Sequence, residues 1–207
     1  MITAALLMVA LAGANAIDPI DAAIERYRAV ESYQVTLRSF HGDQSDIIRF
    51  SYKRPGFVRM DFEQPHEGAV LIYSPLTNHV RLWPFGEGLF SLTFSPDNRL
   101  VQSPTGQRVD RSDIGALLDN VKSLQRKGET TVLGEELVGG RKTMRLAVSG
   151  TGKPVAGNVP RYELWLDSAS LLPLKVVSRD ANNEIIETVV MDDLRINVGM
   201  PDRVFDP

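Results

Sequence analysis

The chain contains no cysteine. That excludes disulfides and thiolate metal centres and leaves no thiol to carry a lipid, so the fold must stand on its core alone and the mature chain is expected to be unanchored. Histidine is nearly as scarce. His41 and His66 fall in turn-rich stretches and His79 at a strand edge, without the spacing of a zinc helix, so they read as solvated surface residues. Clustered positive charge is also missing: 23 Lys and Arg stand against 26 Asp and Glu, for a net charge of −3. Without a basic block, the electrostatic footprint of a nucleic-acid binder is absent.

Catalytic signatures are equally thin. No G-x-S-x-G elbow occurs, which leaves nucleophilic hydrolysis unsupported. Gly150-Thr151-Gly152-Lys153 imitates the end of a phosphate-binding loop, but Ala147 stands where its first glycine belongs and Pro154 where Ser or Thr belongs, so it reads as a flexible loop. Glu135-Glu136 and Asp192-Asp193 are neighbours on strands; their side chains point to opposite faces and cannot share a proton. The expectation is a protein without enzymatic activity, cofactor or metal.

Long apolar runs are absent too. Ile2 to Gly13 is too short to cross ~30 Å of hydrocarbon, and it ends in Ala14-Asn15-Ala16, the small-residue pattern of an export signal cut after Ala16. No Lys or Arg precedes it, which places the start codon at Met1 in question, and a buried N-terminal helix is the alternative. On this reading residues 1–16 are a signal and 17–207 a single periplasmic domain, expected to act as a monomer and long enough to bury ~70% of its unfolded surface.

What is present is alternation. After Asp18-Pro19, an N-cap followed by proline at the first helical position, Ile20, Ala23, Ile24, Tyr27 and Val30 form an apolar stripe on a helix ending near Ser32. The period then changes to two. Strands are expected over 33–40, 45–53, 57–63, 69–74, 79–83 and 89–94, then a loop over 95–108 and a second amphipathic helix over Ser112 to Gln125, with Leu117, Leu118 and Val121 on its apolar stripe. Further strands are expected over 130–137, 141–149, 162–167, 172–177 and 185–194. The last three carry apolar residues on both faces, Trp165 opposing Tyr162, Leu164 and Leu166, where an antiparallel sheet with one wet face should alternate cleanly.

About eleven strands at ~4.8 Å would span ~53 Å, and open sheets of that size curl or split. Two helices of ~21 Å cannot cover both faces. The fold class is therefore α+β, and a curled sheet wrapped around a helix would leave an apolar hollow fit for an acyl chain. A packed sandwich without a hollow is equally consistent with the pattern. In the curled version Phe50 and Tyr52 share a face with Arg54, and the next strand offers Val58, Met60 and Phe62. Arg54 is either a snorkelling surface residue or a donor to backbone carbonyls of a covering loop.

Lys53-Arg54-Pro55, the aromatic Phe57 and Gln64-Pro65 resemble the corresponding segment of the periplasmic outer-membrane lipoprotein carrier (LolA-type) family. Leu164-Trp165-Leu166-Asp167, Leu172-Pro173-Leu174-Lys175, Asn197 and Pro201 to Phe205 are more similar to the broader lipoprotein-sorting superfamily and to the lipid-sensing domain of periplasmic sigma-factor regulators. The resemblance implies an incomplete, half-open β-barrel lidded by helices. Its hollow would take the acyl chains of a lipoprotein or lipid, with Arg54 holding the lid and the Ser112 to Gln125 helix forming part of it. It further implies handover between an inner-membrane release complex and an outer-membrane acceptor. The chain departs from the carriers at Leu76-Thr77-Asn78 and at Pro84-Phe85-Gly86. The alternative implied function is a regulatory module that docks a protein partner or senses lipoprotein on the same sheet.

Overall fold

The computed structural model describes residues 17–103, 105–150 and 159–206. The expected export signal lies outside the described residues, as does most of the glycine-rich loop after Gly150. An N-terminal helix, α1 (Pro19–Arg28), precedes β1 (Ser32–His41), β2 (Gln44–Lys53), β3 (Phe57–Gln64), β4 (Val70–Ser74), β5 (His79–Trp83) and β6 (Leu92–Phe94). A second helix, α2 (Ile114–Gln125), leads into β7 (Gly128–Val138), β8 (Arg141–Gly150), β9 (Arg161–Asp167), β10 (Pro173–Arg179) and β11 (Ile185–Ile196). The strands form one antiparallel sheet in the order β6-β5-β4-β3-β2-β1-β11-β10-β9-β8-β7. This is an open half-barrel, and the packed sandwich is excluded.

Some boundaries differ from expectation for local reasons. α1 ends at Arg28 and not near Ser32, because the Val30 N–H turns back to the Tyr27 carbonyl at 2.9 Å and Val30 enters the core outside the helix. β6 keeps only three residues of the expected 89–94, since Gly86 and Gly88 take positive φ and carry the chain away from the sheet before Leu92 can pair with Leu82. The stretch 95–108, expected as a plain loop, contains a short 3-10 turn, Arg99–Val101, and a second one, Val109–Arg111, follows it.

The order β1 next to β11 puts the first and last strands in the middle, so β6 and β7 lie at opposite edges. Ten inter-strand steps of ~4.8 Å separate them. The connection between them must therefore cross one face, and it carries α2 with it. α1 lies antiparallel to α2 with reciprocal ties. Asp18 caps α1 by accepting from the Ile20 and Asp21 amides and takes a third hydrogen bond from Gln125 Nε2, at the far end of α2 (2.7 Å). Asp113 caps α2 and accepts from the Tyr27 hydroxyl near the end of α1 (2.8 Å). Gly115 makes the approach possible: a Cβ there would stand 2.5 Å from Tyr27 Cε1.

The helices press on one face, the inner one, where Tyr33, Phe50, Leu118, Val121, Leu146 and Leu164 are almost wholly buried. The outer face explains the two-sided grease of the last strands. Trp165 points outward, yet is only 3% exposed. The Arg145 guanidinium lies 4.8 Å and the Lys175 Nζ 4.4 Å from its ring centre, and the indole N–H donates to Glu136 at 2.7 Å. Cationic stems, and no second layer, cover that side. Trp165 therefore does not face the interior, and Glu136 is tied into this cover. Further along, Val70, Ile72 and Trp83 form a small outer cluster, and the C-terminal turn Asp202–Phe205 folds against β3 and β4, with Phe205 packed on Phe57.

Beside Trp165, Glu163 is buried on the outer face among Arg145, Arg161 and Arg179. Burial alone would raise its pKa, but hydrogen bonds and charge from Arg145 and Arg179 outweigh that and hold the carboxyl below its usual range. Asp167 is lowered in the same way: burial opposes ionisation, and the Ser170 amide and hydroxyl with Arg141 overcome it.

Two outcomes are expected. Gly115→Ala should destabilise the protein by about 1–3 kcal/mol, as overpacking forces α1 and α2 apart, measured by urea unfolding. The unfolded chain binds protons on Glu163 and Asp167 at a higher pH than the native one, so their contribution is present above about pH 4 and lost as pH falls through the native values. Glu163→Gln should cost about 3 kcal/mol at neutral pH, and its deficit in thermal midpoint should narrow in acid. A constant deficit down to about pH 3 would contradict this account.

Candidate functional site

Only the upper part of the inner face is filled by the helices. Below them the sheet and the 99–113 connection enclose a hollow of about 1190 Å³, larger than most small-molecule pockets. One wall is β1, whose Tyr33, Val35, Leu37 and Ser39 all face it; at ~3.3 Å per residue that wall runs ~20 Å. Leu71 and Leu82 continue it on one side, and Val176, Val189 and Met191 on the other. Val101, Val109 and Ile114 roof it.

Of the residues singled out from the sequence, Phe50, Met60, Phe62 and Leu117 line the hollow. Tyr52, Val58, Leu118 and Val121 do not. They are 5%, 2%, 1% and 0% exposed, packed into the seam between helices and sheet. All eight lie on the inner face, but face alone does not say how far along a strand the helices reach. The β1 wall is the omission, although Tyr33, Val35 and Leu37 alternate as clearly as the residues of β2 and β3. The roof carries no periodic signal, because 3-10 turns of three residues are too short to show one.

The hollow is apolar in its middle and polar at its ends. Near the β1–β2 turn, Asp46 lies across from Ser39, and the Ser39 hydroxyl donates to Glu187 at 2.5 Å. Burial, reinforced by the charge of Glu187, pushes the Tyr162 hydroxyl up to about 12, so Tyr162 remains a neutral wall residue. At the roof, Arg108 is held by Asp110 and Asp97. At the helix end Tyr33 and Tyr27 are raised mainly by burial, and stay neutral donors and acceptors: the Tyr33 hydroxyl accepts from the Ile114 amide at 3.1 Å. No group of three His, Asp or Glu side chains among the described residues is placed to hold a metal ion.

Arg54 stands outside the hollow. Its Nε donates to the Val30 carbonyl at 2.7 Å, and its Nη2 to the carbonyls of Arg28 and Tyr27 at 2.9 and 3.2 Å. Arg54 is a donor to backbone carbonyls, as the second reading has it, but not to those of a covering loop. The segment it holds is the C-terminal end of α1, where carbonyls lack helical partners and the dipole favours a cation. Its link to α2 is indirect, through Tyr27 and Asp113. Arg54→Leu should lower stability by about 2 kcal/mol, and Arg54→Lys should recover little of it, because one ammonium cannot reach the same carbonyls in a fixed fork; chemical denaturation measures both.

Comparison with curated proteins finds no significant match. Among solved structures, an uncharacterized conserved protein from Thermus thermophilus superposes with a TM-score of 0.58 at 11% identity, covering 91% of this chain and 93% of that one. Mycobacterium tuberculosis lipoprotein LppX gives 0.53 at 10% identity, covering 91% and 96%. MucB gives 0.53 at 18% identity over 92% of this chain, which spans 62% of the MucB chain. These likenesses establish the fold. The model of the MucB/RseB N-terminal domain matches residues 92–207, from the start of β6 through α2 to the last strand and beyond, more than half of the 207 residues. The chain belongs to the MucB/RseB N-terminal domain family.

Proposed function

We propose that this chain is a non-enzymatic periplasmic protein that binds the acyl chains of a lipid or lipoprotein in its hollow and carries them towards the outer membrane. The observation that carries the reading is the hollow itself: about 1190 Å³, largely apolar, and open between a rigid sheet and a roof of short turns. Each methylene moved from water into it contributes about 0.8 kcal/mol, set against the cost of parting the roof. The apolar stretch before Ala16 supports export, and no helix among the described residues is long and apolar enough to cross a membrane. Phe50, Met60, Phe62 and Leu117 contact the acyl chain; Arg54 fixes the helix pair against which the roof closes.

Membership of the MucB/RseB family favours a second reading, in which occupancy of the same hollow is reported to a protein partner and no cargo is delivered. Both readings share the ligand and differ in the fate of the bound complex.

Native mass spectrometry of the mature protein, purified gently from its own periplasm, should reveal a co-purified acylated species. In vitro, Leu117→Gln should weaken a fluorescent acyl probe about tenfold by leaving an amide unpaired against the chain, and Arg54→Leu should change the probe's exchange rate. An apo protein that takes up neither acyl probe nor diacylated peptide would sink the proposal. Transfer of the bound species to acceptor membranes separates the carrier from the regulator.

A further inference from the structure

The hairpin tip between β5 and β6 presents a cluster of exposed apolar side chains. Phe85, Leu89 and Phe90 are 68%, 64% and 56% exposed, and the two phenyl rings meet edge to face at 5.7 Å. Such a cluster gains nothing from water and buries little against its own sheet, since β6 pairs over only three residues.

Its charge arrangement is more telling. Between Pro84 and Phe94 the one ionisable side chain is Glu87, and both its oxygens are taken by Arg59, at 3.1 and 2.7 Å. Arg59 is itself fixed by Asp61 and by the Val204 carbonyl. The only acid of the tip is thus neutralised and drawn back against the outer face of β3. Ser91 is likewise occupied, accepting from Arg81 at 2.8 Å. What the tip projects is apolar and free of unpaired charge.

We propose that this tip docks the protein on the surface of a lipid bilayer, with Phe85, Leu89 and Phe90 entering the headgroup and acyl boundary. A protein partner is normally specified by a polar rim and directed hydrogen bonds, and the tip's own Glu87 and Ser91 are already engaged. A bilayer interface needs only aromatic and aliphatic side chains without a charge to desolvate. The position agrees with this occupant. Pro84, at the base of the tip, and Leu100, 74% exposed on the roof, both line the hollow, so the tip adjoins the rim of the cavity through Pro84. This goes beyond acyl binding and stands on the tip's own geometry.

The test is co-sedimentation with vesicles of phosphatidylcholine alone and of phosphatidylcholine with phosphatidylglycerol. The native protein should bind both. The double variant Phe85→Ser, Phe90→Ser should lose about tenfold in partitioning, while keeping its thermal midpoint and its uptake of a soluble acyl probe. A Phe85→Trp reporter should shift to the blue and be quenched by brominated phosphatidylcholine. Absence of vesicle binding by the native protein, unchanged binding by the double variant, or an unquenched reporter would each overturn the proposal. Binding restricted to anionic vesicles would overturn it too, assigning contact to cations elsewhere. So would loss of a purified protein partner by the tip variant with vesicle binding unaffected. Failure of acyl-probe uptake with vesicle docking intact would refute the acyl-binding reading alone.

Discussion

The pairing of β1 with β11 is the constraint on which the rest depends. Because the sheet grows outward from its middle on one side and returns to it from the far edge on the other, the chain has to travel from β6 to β7 across a face. A chain crossing a sheet of this width cannot leave its backbone groups unpaired over apolar side chains, so it carries its own hydrogen bonds, as helix in α2 and as short turns before it. The inner face is covered for a topological reason, and the cover is uneven for the same reason. Where the crossing is helical it brings a broad apolar stripe and α1 packs beside it. Where it is a run of turns it brings only isolated apolar residues, and a hollow remains.

That division also sorts what holds each part. The helical half is fixed by Leu118, Val121 and the stacked rings of Tyr33, Phe50 and Tyr52, and by the mutual capping of α1 and α2. Tyr27 serves both helices: its carbonyl receives Arg54 and its hydroxyl reaches Asp113. Arg54 is therefore tied to α2 only indirectly, through Tyr27 and its hydrogen bond to Asp113.

Much of this is legible in the sequence, and the failures are instructive. Strand positions and the faces of β1 to β3 follow from period-two alternation, since one buried face imposes it directly. The apolar stripe overextends α1 because Val30 continues it, although the packing of Val30 does not require helical backbone. The two-sided pattern of the last strands is a true anomaly, but it does not point to a ligand. Trp165 is covered by Arg145 and Lys175, whose methylene stems count as charge in any hydrophobicity pattern and as cover in the folded protein. The hollow's depth is not readable, because it depends on where a crossing segment changes from helix to turns, which leaves no trace in the strands beneath it.

The roof and the helical seam differ in how they would yield. Around the roof, Arg108 pairs with Asp110 and Asp97, Ser103 and Gln107 close a tight turn, and the Gln107 side chain donates to the Arg111 carbonyl. These are mostly exposed polar ties, which water can replace bond for bond. Parting the seam would instead expose Leu118, Val121 and Tyr33 together, an apolar loss that water does not compensate. The polar ties of the roof are therefore easier to part than the seam, although Val101 and Val109 beneath them are buried, and the roof is where Leu100 and Val101 meet the hollow. On the acyl-binding reading proposed above, a ligand would enter there, displacing solvent-exchangeable contacts and gaining apolar ones, while the latched helices and the sheet wall hold their register.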